Sequence, residues 1–275
     1  MVTFEPTARP IGHYELQMNA SHVRVIVLRA AGTNCDRETV YAFEKAGATV
    51  DRVHVNRLAE GSASLMDYQV LAIPGGFTYG DDIAAGRVLA NEMNHRVGDQ
   101  VRSFIDDGRL VIGICNGFQV LVKMGLLPGW EDSPHPVTLT YNDSNKFEDR
   151  WVYLKVVAST SPFLRKEEVI YLPVAHGEGK FVVDSDESLE RLEEAGQVVL
   201  RYCDQDGKQA DYPLNPNGSV RSIAGICNAD GNVLGLMPHP ERNVEPYHHP
   251  RWSRAEGAAR ADGMRFFINA VSHFT

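Results

Sequence analysis

Between residues 23 and 125, short apolar β-branched runs alternate with helix-like stretches, and no other feature of the chain restricts its fold as tightly. The runs VRVIVLRA (23–30), ATVDRVHV (48–55), YQVLAIPGG (68–76) and RLVIGIC (109–115) have the length and composition of buried parallel strands. Asp36 through Ala46, closed by Gly47, predicts a helix whose first turn carries Asp36 and Glu38, where the helix dipole favours negative charge. Residues 81–107 predict a second helix, broken near Gly98, and NGFQVLVKMG (116–125) a third that ends at Gly125. This order implies an α/β fold: a doubly wound, mostly parallel sheet flanked by helices, with ligands at the carboxyl ends of the strands.

The rest of the chain follows a different pattern. Strand-like runs at 135–141, 151–157, 169–175, 197–203, 222–228 and 232–238 succeed one another with few helices between them. Turn residues at Gln205-Asp206-Gly207 and Pro216-Asn217-Gly218 separate some of them. An added antiparallel or mixed region therefore completes the sheet. Residues 254–272 predict a closing amphipathic helix, with Met264, Phe266, Phe267, Ile268 and Val271 mainly on one side. Residues 1–22 read as an N-terminal arm and 23–275 as one domain, since no long linker or repeat divides them.

Composition excludes several classes. A net charge of −9 argues against a nucleic-acid binder, which usually carries a basic stripe. No apolar run approaches the length of a membrane span, and the first residues lack the basic start and apolar core of a signal peptide. Cys35, Cys115, Cys203 and Cys227 lie far apart with no C-x-x-C pair, which argues against a zinc site or a disulfide framework and for a reducing cytoplasm.

One cysteine stands in a special frame. In LVIGICNGFQVL, Cys115 falls between an apolar strand and a helix, with Gly113 and Gly117 two residues to either side. This is the cysteine version of the nucleophile elbow, whose tight turn needs small neighbours. A free cysteine is only a few per cent thiolate at neutral pH, so a base must accompany it. The run NVLGLMP leads into His239-Pro240-Glu241-Arg242, and in an extended segment His239 and Glu241 would share one face. That pairing suits a base that takes the thiol proton and a carboxylate that holds the imidazole.

The remaining candidates are less distinct. Cys35, Cys203 and Cys227 lack the elbow frame and read as structural. His248 and His249 lie in a Pro-rich stretch and read as surface residues. His176, in AHGEG, fits either a site wall or a structural turn. Acyl transfer to a thiol passes through an oxyanion, which two backbone N–H groups would stabilise. One is that of Asn116, directly after the nucleophile; Pro74-Gly75-Gly76-Phe77, after the third strand, offers another or is a plain turn.

With Cys115, Pro74-Gly75-Gly76 and His239-Pro240-Glu241 in place, the chain resembles the class I glutamine amidotransferases, whose sheet is flavodoxin-like. Within them it is most similar to the glutaminase subunits of phosphoribosylformylglycinamidine synthase, through GTNCD (32–36), PGGFTYGDDIAAGR (74–87), GICNGFQVL (113–121), NDSNKFEDRW (142–151), LPVAHGEGKF (172–181) and GLMPHPER (235–242). The arm before residue 22 departs from the compact form of that subunit. The resemblance implies Cys115 as nucleophile, His239 as base and Glu241 as its orienter. It also implies oxyanion N–H groups from Gly76 and Asn116, and a glutamine site walled by Gly75, Gln119 and His176, without metal. It further implies a large synthase partner of PurL type, holding ATP and magnesium, and a small PurS-type subunit. No G-x-x-x-x-G-K-[ST] phosphate loop is present, so no cofactor is expected on this chain. A stand-alone hydrolase and a non-catalytic relative using Cys115 as a redox sensor are the rival readings.

Overall fold

The computed structural model describes residues 22–81, 83–133, 135–165, 168–254 and 260–275; the arm expected at 1–22 lies almost wholly outside them. Chain order gives strands β1 (Arg24–Arg29), β2 (Thr49–His54), β3 (Val70–Ile73), β4 (Leu110–Ile114), β5 (Val137–Thr140) and β6 (Glu148–Val156). There follow β7 (Val169–His176), β8 (Lys180–Val183), β9 (Val198–Cys203), β10 (Ile223–Cys227) and β11 (Val233–Leu236). The helices are α1 (Asp36–Lys45), α2 (Val55–Ala59), α3 (Arg87–Asp106), α4 (Asn116–Lys123), α5 (Asp186–Glu194) and α6 (Met264–Ser272).

Nine strands form one sheet in the order β2-β1-β3-β4-β11-β10-β9-β6-β7. From β2 to β11 all neighbours are parallel; from β11 through β10, β9 and β6 to β7 they are antiparallel. The burial patterns explain the division. Every residue of β3, β4 and β11 is buried, as helices on both faces of a parallel sheet require. In β6 buried Val152, Leu154 and Val156 alternate with more exposed residues, the mark of a sheet with one solvated face. β5 and β8 pair as a separate antiparallel ribbon.

Several expectations need correction. The helix expected over 81–107 is α3, which starts only at Arg87 because Gly86 has φ 74° and Asp81 lies in a positive-φ turn. It runs through Gly98 without a break, since Met93, Val97, Val101 and Phe104 keep one face continuously buried. The third strand ends at Ile73, and Pro74-Gly75-Gly76 continues outside it, with Gly76 in an isolated antiparallel bridge to Thr33. Of the closing helix expected over 254–272, α6 occupies Met264–Ser272; residues 255–259 lie outside the described part. Helix α5 was not expected. Its signal is present in Ser185, whose Oγ accepts from the Ser188 N–H, and in Asp186 and Glu187 of the first turn.

The parallel strands β3, β4 and β11 are adjacent, with Ile73 opposite Gly113 and Leu236 opposite Ile114. Their carboxyl ends therefore open side by side at one edge of the core.

Candidate active site

Each of those three strand ends carries a sequence motif. β4 runs directly into Cys115, whose backbone is held at φ 53° and ψ −106°, a conformation that L-residues rarely adopt. The Cys115 N–H donates to the Leu236 carbonyl at 2.8 Å, and its own carbonyl accepts from Phe118 and Gln119, so strand and helix both grip the elbow. The flanking glycines are required by close approach: a methyl on Gly117 would come within 1.9 Å of the Ile73 carbonyl oxygen, and one on Gly113 within 2.6 Å of the Gly117 oxygen.

β11 delivers the base. The His239 N–H donates to the Pro173 carbonyl at 2.8 Å, and Nδ1 lies 2.6 Å from Glu241 Oε1. Both side chains are buried. The two residues do not share an extended face as expected: Pro240–Arg242 is a 3-10 turn with proline in its first position, and this turn brings the carboxylate back to the ring. Burial acts to lower the His239 pKa, but the Glu241 carboxylate and the Cys115 sulfur outweigh it and raise the value well above 6.5. His239 Nε2 is buried and has no hydrogen-bond partner among the described residues.

β3 supplies the third component. The Gly75 carbonyl accepts from the N–H groups of Asn34 and Cys35 at 3.4 and 3.2 Å, and the Phe77 N–H donates to the Gly32 carbonyl at 3.0 Å. In a trans peptide N–H and C=O point in opposite directions, so the Gly76 N–H is turned away from Asn34 and Cys35. Gly76 has φ 150°, and a side chain there would meet the backbone of Gly32 and Asn34 at 2.7 and 2.8 Å. A methyl on Gly75 would lie 2.8 Å from His239 Cε1 and 3.4 Å from Cys115 Cβ, so only glycine lets the cysteine and the ring face each other.

Two cavities, of about 140 and 150 Å³, meet at Cys115 and share Gly76, Phe77, Phe147 and Ala175. The first also contains Gln119, His176, Asp81 and Glu178; the second contains Cys35, His239 and Arg242. Asn116 braces the first. Its Oδ1 accepts from the Thr78 N–H and hydroxyl, and its Nδ2 donates to Asp81 Oδ1 at 3.3 Å and Gln119 Oε1 at 2.9 Å. Gln119 Nε2 in turn donates to the Glu178 carbonyl at 2.5 Å.

Every residue singled out for the site is thus gathered here, and others join it. Cys35, read as structural, lies at the site: its Sγ is 4.0 Å from His239 Nδ1 and accepts from Arg242 Nη2 at 3.0 Å. Its signal was its place in GTNCD. The potential ligand atoms of Cys35, His239 and Glu241 lie within 4.8 Å of one another. They are, however, engaged with each other and with the Arg242 guanidinium, a cation that would oppose a metal ion. Asn142 and Phe147 fall in the family stretch NDSNKFEDRW (142–151) and Tyr141 directly before it, but nothing in their local spacing points to a site; they reach it through the fold. His249, expected on the surface, is buried against Trp151 and Tyr171, with ring centroids 5.7 and 5.4 Å away.

Comparison with known proteins gives the chain's relatives. Residues 22–274 match the family described as CobB/CobQ-like glutamine amidotransferase domain. The chain is 48% identical over 253 residues to the phosphoribosylformylglycinamidine synthase subunit PurQ of Dehalococcoides mccartyi, covering 91% of this chain and 97% of the relative. It is 43% identical over 272 residues to that of Archaeoglobus fulgidus, covering 93% and 98%. Among solved structures, PurLQS from Thermotoga maritima matches with a TM-score of 0.71 at 34% identity, over 92% of this chain and 99% of that one. A glutamine amidotransferase from the same organism shares the fold, with a TM-score of 0.54 at 14% identity over 92% of this chain and 97% of that one.

Proposed function

The chain belongs to the glutamine amidotransferase family and, within it, to the PurQ subunits of phosphoribosylformylglycinamidine synthase, and from this premise we propose how its residues perform the reaction. The chain is a glutaminase subunit: it releases ammonia from glutamine for purine biosynthesis, in association with PurL- and PurS-type subunits. The observation that carries the residue assignment is the meeting of a positive-φ Cys115 with a buried His239–Glu241 pair at 2.6 Å.

Cys115 gives its proton to His239 Nε2, whose ring the Glu241 carboxylate holds protonated, and the resulting thiolate attacks the carboxamide carbon of glutamine. Glu241 accepts a hydrogen bond from His239 Nδ1–H, which fixes the tautomer and balances the charge of the imidazolium. The carbonyl oxygen becomes an oxyanion facing the N–H groups of Gly76 and Asn116; neither has an acceptor among the described residues. Loss of one such donor costs about 10²–10³ in rate in comparable sites. His239 returns its proton to the departing nitrogen, and ammonia leaves. Water then attacks the thioester with His239 as base, releasing glutamate and restoring the thiol.

Gln119 lines the glutamine site, where Asp81 and Glu178 offer negative charge for the substrate's ammonium group, and Gly75 borders it through Cys115 and His239. Free ammonia is mostly ammonium at neutral pH and is then no nucleophile, so it must pass to the synthase subunit under cover. ATP and magnesium belong to that subunit. No helix among the described residues is long and apolar enough to cross a membrane. The four cysteines are unpaired, which fits a cytoplasmic setting. Residues 23–275 act as one amidotransferase unit.

The test is glutamate release from glutamine by wild type and Cys115→Ala, with and without the synthase subunits. Partner-stimulated release that vanishes in the variant is expected; release that persists would place the nucleophile elsewhere.

A further inference from the structure

His176 closes β7 on the wall of the cavity that contains Cys115. Its environment determines which ring nitrogen carries the proton. Asn142 Nδ2 donates to two carbonyls, those of Lys146 at 2.9 Å and His176 at 2.8 Å, which fixes the orientation of the amide. Asn142 Oδ1 is therefore the acceptor, and it already takes the Gly179 N–H at 3.0 Å. His176 Nδ1, 3.1 Å from the same oxygen, can only be a donor there. Burial, aided by the positive charge of His239, pushes the His176 pKa down to about 3, so the ring is neutral. A neutral ring protonated at Nδ1 has a bare Nε2 lone pair. That atom is buried and has no partner among the described residues, although His176 is only 3% exposed. A buried acceptor without a donor is costly, and because His176 lines the cavity that contains Cys115, a ligand held there can supply the donor.

We propose that His176 is a specificity residue whose bare Nε2 accepts a hydrogen bond from the carboxamide N–H of glutamine. This rests on the glutaminase reading above and adds to it. Glutamate, whose side-chain carboxylate has no hydrogen to give, would set acceptor against acceptor. The same lone pair rules out His176 as an oxyanion donor, leaving that task to backbone N–H groups. Its ring is held in place by Gly179, where even a methyl group would lie 2.3 Å from His176 Cε1.

The experiment compares kcat/KM for L-glutamine and for L-glutamate γ-methyl ester, which forms the same thioester but has no side-chain N–H. Wild type, His176→Phe and His176→Gln are assayed in the complex with the synthase subunits. Because kcat/KM reports steps up to acylation, thioester hydrolysis does not enter. Replacing His176 by Phe should lower the value for glutamine about 10- to 100-fold while leaving the ester within about threefold, and His176→Gln, which restores an oxygen acceptor, should recover part of the loss. Equal losses on both substrates would mean that His176 only supports the wall, and no loss on either would mean that Nε2 meets no donor; each overturns the proposal. A wild-type complex that releases no glutamate from glutamine would fail before the variants are compared, and would refute the glutaminase reading itself.

Discussion

Strands β3, β4 and β11 each run at their carboxyl ends into a segment that faces the reacting centre, whereas of the antiparallel strands β7 reaches it with Ala175 and His176 and the others reach it through their connections. In the parallel region the geometry is set by backbone: a strained elbow, a pinned Gly75–Gly76 peptide and a 3-10 turn. In the antiparallel region it is set by side chains, with Asn142 after β5, Phe147 before β6, His176 at the end of β7 and Glu178 before β8. Backbone placed by adjacent strands is fixed to within a hydrogen bond and suits the chemistry, which tolerates little displacement. Side chains on loops can differ without disturbing the sheet, and suit recognition of the substrate. Changes in the parallel region should therefore act on kcat, and changes in the antiparallel region on discrimination between substrates.

The largest expected effect is that of Glu241→Gln. The amide keeps the shape but not the charge that raises His239, so kcat should fall by about 10²–10⁴, as when the carboxylate of a triad is neutralised. The sign of the pH effect follows from the competing causes. With the carboxylate gone, burial is left to lower the His239 pKa, so the alkaline limb of the kcat/KM profile, where the protonated ring is lost, should move to lower pH. A profile that keeps its alkaline limb would show that Glu241 positions nothing, and the contrast between the two regions would lose its main support.

The same contrast accounts for what the sequence revealed. Periodicity located β1, β3 and β4 because they are buried on both faces, whereas β11, equally buried and parallel to β4, reads in the sequence only as one of the antiparallel or mixed runs; G-x-C-x-G and H-P-E located the reactive groups because a tight turn needs its small residues close in sequence. The antiparallel walls obey no such local rule. His176 and Asn142 meet across 34 residues, and Cys35 meets His239 across 204, so neither pair has a periodicity or spacing to betray it. Cys35 reads as structural in the sequence, and its place in the family stretch GTNCD is the one signal of its share in the site. Helix α5 was legible in principle, since Ser185 and the acidic first turn are ordinary start signals. Its few apolar residues, with Leu189 and Leu192 buried, were outweighed by the strands on either side.

A smaller effect is expected from Gly179→Ala. The added methyl would press on the His176 ring, 2.3 Å from Cε1 and 2.7 Å from Nε2, without touching the parallel strands. The glutamine kcat/KM should fall about tenfold, roughly the value of one displaced hydrogen bond, while the γ-methyl ester is little affected. An equal fall for both substrates would mean that the β7–β8 loop also governs the chemistry, and the separation of tasks would fail.

The smallest effect sharpens the comparison by its absence from catalysis. Ser185→Ala removes the Oγ that accepts from the Ser188 N–H at 3.1 Å, leaving the first turn of α5 without that partner. Caps of this kind contribute about 1 kcal/mol, which in a chain of this size lowers the melting temperature by about 2–4 °C. Helix α5 lies in the antiparallel region and contacts β8, and none of its residues lines either cavity at Cys115. If that region contributes only recognition through its loops, thermal unfolding should shift while kcat and kcat/KM for glutamine stay at wild-type values. A fall in kcat at a temperature where the variant is fully folded would show that the antiparallel strands transmit strain to the elbow, and the two regions would have to be treated as one catalytic unit.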